Sequence, residues 1–490
     1  MPQIEITSSD KCKASSAERS NARILRGWGQ AYARQNQMLP YAGTSLTAAE
    51  IEGLRQHLDA RAVRATHSEI TSAALLSAVL TTGRSAGSFA GIPVLCEPES
   101  MPSTPCLAIG SQWVWWLKPG RPSSQQKFPE DQEPAHAKRG DLIALPCSVR
   151  TRRLLEQMAS PPTPGQPLFP WNSDEAHDAA HKEIRKAAIR SSLRLAEGWL
   201  FQRLSEMENG DTAIAAIITG NVPLIAKTVI HYTSVSASKA VTILGKALDG
   251  FDIVEPLLNF DDEQHYGSRY APRIGDVSDL LAQIRAPLLI RRKLRKKPIV
   301  AMHNAMTLYT VLFYLIATCA RPTRALLPSL DRIDPLTGYQ MLDDKPTKGQ
   351  FKTRLIWVSE ECLEQLGFYQ SHMRTMHERH PQLVPDDHDG SPYLIADDGS
   401  LQVLDRALLR KTFRGKGWPY PPNFARHFAR SALIGTVSSE TLHAFFGHWH
   451  QGTEPWSKTA GLDPLAYRAE LKRAITALCQ CCGLEPQRGL

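Results

Sequence analysis

The sequence predicts a mainly α-helical chain with small β-hairpins, an α+β fold in which one order of elements is used twice. Apolar residues recur at helical spacing over most of the chain. Short β-like runs come in pairs after a long apolar helix, and this order occurs once before residue 252 and again after residue 273. The separation is too long for a solenoid repeat and points to a duplicated domain.

Composition narrows the class. With 490 residues, 42% hydrophobic and 22% charged, the chain is globular and long enough for two to four domains at roughly 100–200 residues each. Lys and Arg number 57 against 49 Asp and Glu, a net charge of +8 that permits a nucleic-acid partner without requiring one. Nine cysteines, an odd number without C-x-x-C pairs, argue against a disulfide scaffold. Cys479, Cys481 and Cys482 read as a helix end with buried thiols. The first residues carry no signal pattern, and the apolar run Ala305 to Ala320 falls short of the roughly 20 residues a membrane span needs. A soluble, reducing compartment is expected.

In order along the chain, residues 1–44 are polar and read as an arm. A first unit spans 45–252. Thr47 is positioned to cap a helix, a second helix runs from Ile70 to Thr82, and Gly83 ends it. Gln112 to Leu117 and Asp141 to Leu145 read as strands flanking an exposed Pro- and Glu-rich tip, with helices over 151–158 and 174–249. Trp113, Trp115 and Trp116 read as core or edge packing. Residues 253–272 are mixed and acidic, a linker. A second unit spans 273–490: a helix over Asp276 to Leu289, then a long apolar one from Ile299 to Ala320 stopped by Pro322. Strands at Tyr339 to Leu342 and Arg354 to Val358 follow, with helices from Glu360 and from Asn423.

Individually bland residues form an ordered set in the second unit. Arg321 follows the long helix and Lys348 lies in the turn KPTKGQFKTR. Arg426 lies in NFARHFARSAL, Gly447 and His448 precede Trp449, and Tyr467 lies in a terminal helix. This order resembles the tyrosine recombinases, the phage-integrase family, across nearly all of 273–490. The resemblance implies two tandem recombinase-like catalytic folds. It makes Arg321 and Arg426 the phosphate-clamping arginines, Lys348 the hairpin lysine, His448 the second histidine position and Tyr467 the nucleophile. Asn423 replaces the family's first histidine. A competing register makes His427 and Arg430 the His-x-x-Arg box, Arg324 rivals Arg321, and Lys345 and Lys352 rival Lys348.

The first unit reads as a degenerate copy. Arg84 follows its buried helix, Arg194 stands at the second arginine position and Tyr232 at the tyrosine position, with separations close to those of the second unit. Ser191 and Asn221 replace the histidines, and Lys118 and Lys138 are the hairpin candidates. This unit is expected to bind DNA or serve assembly. Arg291, Arg292, Lys293, Arg295, Lys296 and Lys297 form a basic run that could follow a phosphate backbone.

The chemistry accounts for the residue types. Arginine offers permanent charge and a planar fork for phosphate oxygens. Tyrosine, with a reference pKa of about 10, needs a positive pocket and a proton acceptor before it attacks. Storing the bond as a 3′-phosphotyrosine needs no metal, ATP or other cofactor. The resemblance therefore implies a DNA strand transferase of a mobile element, acting on double-stranded DNA in the cytoplasm at the nucleoid. It would act as a homotetramer or in a mixed assembly with sister recombinases, and not at a membrane. A catalytically inactive DNA-binding scaffold and a topoisomerase IB-like enzyme are the alternatives.

Overall fold

The computed structural model describes residues 45–490 except 65, 97–100, 123–125, 129–132, 135–138, 188–190, 224–225, 258–263, 290–298, 324–325, 345–352, 385–389, 450–454 and 457–459. The arm, the basic run 291–297, Arg324, Lys138, Lys345, Lys348 and Lys352 lie outside the described residues. The chain is mixed α+β with small sheets.

The first unit opens with α1 (Ala48–Arg64), where Thr47 caps as expected. Its hydroxyl accepts from the Glu50 amide while the Glu50 carboxylate accepts from the Thr47 amide. Helix α2 (His67–Thr82) has a polar first turn, is buried all round from Ala73 onward, and ends at left-handed Gly83. A sheet of four strands follows: β1 (Val94–Cys96), β2 (Cys106–Ile109), β3 (Val114–Leu117) and β4 (Ile143–Pro146). The sequence anticipated only β3 and β4; β2 joins β3 antiparallel and β1 lies parallel to β2. Trp115 is fully buried with its ring edge-on to Phe89, and Trp113 lies beneath Arg152, so these tryptophans pack as expected. Helices α3 (Val149–Glu156), α4 (Ser173–Lys186), α5 (Leu193–Glu206), α6 (Thr212–Thr219) and α7 (Lys227–Tyr232) lead to β5 (Ser234–Ser236) and α8 (Ala237–Leu248).

The stretch read as a linker is built into the fold. Its strand β6 (His265–Gly267) pairs antiparallel with β5, and Tyr266 is fully buried. Gly267 has φ +88° and stands where a Cβ would come within 2.3 Å of the Thr233 carbonyl. Its polar composition masked this role, because its hydrogen-bond partners come from residues distant in sequence.

The second unit has α9 (Ile274–Leu289) packed on α10 (Ile299–Thr318), whose side chains are buried almost all round. By length and apolarity α10 could cross a membrane, but 78% of its most apolar window is buried inside the fold. Strands β7 (Tyr339–Asp343) and β8 (Thr353–Trp357) form the expected hairpin. Helix α11 (Glu360–Arg379), the pair β9 (Tyr393–Ile395) and β10 (Leu401–Val403), and α12 (Arg406–Gly415) follow. The unit closes with α13 (Phe424–Leu433), α14 (Ser439–Phe446) and α15 (Pro464–Cys482). Cys479 and Cys482 are buried in the last turn of α15 and Cys481 is exposed.

The two units do not keep separate cores. One hydrophobic cluster runs from Leu46 to Leu484 and includes α2, α6, α10 and α13. Helix α13 packs on α7 and β5 of the first unit. The seam is also polar: Arg430 pairs with Asp211, Lys239 donates to the Ile434 carbonyl at 2.7 Å, and the Ser234 amide donates to the Ser431 hydroxyl at 2.8 Å.

Candidate phosphate site at the seam between the two units

The site begins where α10 ends. Cys319 takes a left-handed φ of 53°, unusual for a residue with a side chain. Its carbonyl accepts from Arg426 at 2.6 Å and from Arg354 at 2.8 Å. The end of α14 contributes likewise: the Phe446 carbonyl accepts from Arg426 at 2.8 Å, and the Phe445 carbonyl accepts from Arg354. Two helix C-termini thus aim their unsatisfied carbonyls, the negative ends of their dipoles, at two buried guanidiniums. Left-handed Gly447 closes α14, and a Cβ there would press within 3.0 Å of the Arg354 side chain.

Asp344 ties the cluster together. It accepts from the Arg354 guanidinium at 2.9 Å and from the Arg321 guanidinium and amide at 2.8 Å each. Burial alone would raise its pKa, but Arg354, Arg426 and Arg321 outweigh that and hold the carboxyl well below the usual range. Among the described residues no carboxylate pairs directly with Arg426. Burial first, then Arg321 and Arg354, push its pKa down to about 9.

The charges can be counted. Arg321, Arg354 and Arg426 bring three positive charges and Asp344 one negative. Two helix C-termini offset about half a charge each. A surplus of about one positive charge remains, equal in size to the charge of a phosphodiester.

The surrounding rings come from both units. Arg426 is sandwiched between the rings of Tyr232 and Phe446, its guanidinium carbon 5.1 Å from each centroid. His448 stacks on Tyr232 with centroids 5.3 Å apart and planes 23° from parallel. Both His448 ring nitrogens are inaccessible to solvent and have no hydrogen-bond partner among the described residues. Burial, then Arg426 and Arg430, push its pKa well below the usual histidine value, leaving a neutral ring with a free acceptor. Among the described residues no hydrogen bond engages the Tyr232 hydroxyl.

His427 is occupied differently. Asn423 donates to its Nε2 at 3.2 Å, so Nδ1 carries the proton and donates to the Ser268 hydroxyl at 2.7 Å. Ser268 passes the chain on to Gln126 at 3.1 Å. Arg430 is fully buried and spent on Asp211. Of the two registers, then, Arg426 reaches the cluster, while His427 and Arg430 fasten the seam.

Tyr467 is buried against β8, close enough to Arg354 and Cys319 to feel both electrostatically. Its hydroxyl donates to the Leu355 carbonyl at 2.8 Å and its ring meets Trp456 edge-on at 5.0 Å. Burial pushes its pKa well above the ordinary tyrosine value, with Arg354 opposing. In the first unit, Arg84 donates to the Lys118 carbonyl at 2.6 Å and to the Ile218 carbonyl at 2.7 Å, near the end of α6. Burial pushes its pKa down to about 9. Left-handed Gly220 closes α6 beside it, repeating the device of Gly447 and the arginines. Lys118 and Arg194 are exposed, and Arg194 takes no part in the arrangement around Arg84.

Arg354 and Asp344 were missed in the sequence. The signal was present: Arg354 interrupts an apolar strand, and Asp344 precedes the lysine-rich turn. Among the described residues no group of three His, Cys, Asp or Glu side chains could hold a metal ion. No family model, curated protein or solved structure matches the chain.

Proposed function

We propose that the protein is a DNA strand transferase of the tyrosine recombinase type, cutting and rejoining duplex DNA through a 3′-phosphotyrosine for a mobile genetic element. The observation that supports it most is the surplus of about one positive charge shared by Arg321, Arg354 and Arg426 beside the free nitrogens of His448. A phosphodiester neutralises that surplus, and the second negative charge that develops during attack is met by the same guanidiniums. His448 accepts the phenolic proton, and Arg321, the least buried of the three arginines, receives the phosphate at the rim. In this reading both units are recombinase-like folds, the first given over to DNA binding and assembly. The active form is a tetramer on DNA or a mixed assembly with sister recombinases, in the cytoplasm at the nucleoid. Lys348 would protonate the leaving 5′ oxygen.

A second reading is a catalytically inactive DNA-binding scaffold. Its support is that the Arg354 and Arg426 donors already reach backbone carbonyls in a buried setting. Nicked duplexes of randomised sequence separate the two, because the nick lets the cleaved end diffuse away and traps the adduct. Denaturation-resistant protein–DNA adducts, formed in chelator without nucleotide, support the strand transferase. Retention of DNA with no adduct favours the scaffold.

A further inference from the structure

We infer that the attacking tyrosine is Tyr232, supplied by the first unit to arginines of the second, so that the catalytic site is a composite across the seam. The inference rests on the strand-transferase reading and names its nucleophile. The motif order points instead to Tyr467, and geometry separates the two. The Tyr467 hydroxyl is committed to the Leu355 carbonyl of β8. Tyr232 stands at the end of α7, half-buried, with its ring on the Arg426 guanidinium and stacked on His448. No hydrogen bond from a described residue reaches its hydroxyl or the His448 nitrogens, and the Nε atoms of Arg354 and Arg426 are likewise unpartnered.

The placement is fixed from several sides. Helix α7 packs directly on α13, the helix that carries Arg426. The Arg430–Asp211 pair holds the end of α13 to the start of α6, and α6 packs on α7. His427 tilts against the Tyr232 ring at 4.8 Å, and its chain through Ser268 to Gln126 ties α13 to the first unit. Tyr232 is half-buried and its hydroxyl meets no described hydrogen-bond partner, so it is left available while its ring rests on Arg426 and His448.

The step balances. The Tyr232 oxygen bonds to phosphorus as the bond from phosphorus to the 5′ oxygen breaks. The phenolic proton moves to a His448 nitrogen, and the departing 5′ oxygen takes up one proton. One phosphodiester is exchanged for another, so neither oxidant nor energy source is required.

The test uses the full chain and the nicked duplexes of randomised sequence. Adducts are digested with nuclease and trypsin, and the phosphonucleotide remnant is located by mass spectrometry. The expected remnant lies on segment 228–239, which holds Tyr232 as its one tyrosine. Tyr232→Phe keeps both ring contacts and should retain DNA while losing the adduct by at least about 10³-fold, the scale on which loss of one essential group is read. A remnant on segment 459–468, which holds Tyr467, overturns the composite site and leaves the strand transferase standing. An adduct undiminished in Tyr232→Phe overturns it equally. No adduct from the unaltered chain overturns the strand-transferase reading, and the inference with it.

Discussion

The Arg426 guanidinium lies 5.1 Å from the centre of the Tyr232 ring, so a fully buried charge of the second unit rests on an aromatic face from the first. Each unit therefore completes the other. Arg426 would lose one wall of its sandwich without α7, and Tyr232 would face solvent without α13.

The first prediction concerns the ion pair that closes the same seam. Arg430 and Asp211 are both fully buried, and Asp211 also caps α6 by accepting from the Ala213 amide at 2.7 Å. Removing one partner strands the other charge. Asp211→Ala should cost about 3–5 kcal/mol in urea denaturation. Asp211→Ala combined with Arg430→Met should recover much of that loss, since the double variant leaves no uncompensated buried charge.

Arg426→Lys tests the fork. A lysine cannot reach the Cys319 and Phe446 carbonyls with the planar geometry that two guanidinium nitrogens provide. The Cys319 carbonyl keeps its bond from Arg354, so the loss falls on the Phe446 carbonyl and should cost about 1–3 kcal/mol. Single-turnover adduct formation should fall by about 10³–10⁵-fold. Activity retained to within tenfold would remove Arg426 from the phosphate site.

Stability should fall on mild acidification. His427, His448 and His231 all have pKa values held below the ordinary 6.5, chiefly by burial. The folded state keeps these rings neutral, whereas the unfolded chain takes up protons as pH drops through 6.5. Their contribution is thus fully present above that value and is lost below it. Each histidine should contribute a slope of up to about 1.4 kcal/mol per pH unit between pH 6.5 and its folded pKa. Urea midpoints from pH 8 to pH 5 measure the slope, and His448→Gln should make it shallower.

A pair of glycine substitutions tests the packing around Arg84. At Gly220, φ is +70° and a Cβ would stand 1.5 Å from the Arg84 guanidinium. Gly220→Ala should destabilise by about 1–3 kcal/mol, because the strained backbone and the displaced arginine act together. Gly245 lies inside α8 with open space around its Cβ position. Gly245→Ala should stabilise by about 0.5–1 kcal/mol in the same denaturation assay.

By itself the sequence determined the two strand pairs flanking the loops, the order of arginine, histidine and tyrosine positions, and most of the helices, though not α12. Those features are local: apolar periodicity, caps such as Thr47, stops such as Gly83, and charges at fixed places along the chain. Tertiary structure alone decided which of these side chains meet. Arg354 joined the cluster because β8 turns it toward two helix ends, whereas the hydroxyl of Tyr467, found by motif, was taken up by the Leu355 carbonyl. Tyr232 and Arg426 come together through packing of α7 on α13, a contact between segments whose periodicities carry no record of each other. Spacing along a chain reports what a segment does with its neighbours in sequence. The convergence of charges depends on how the units dock, and here a single shared core and a buried ion pair set that docking.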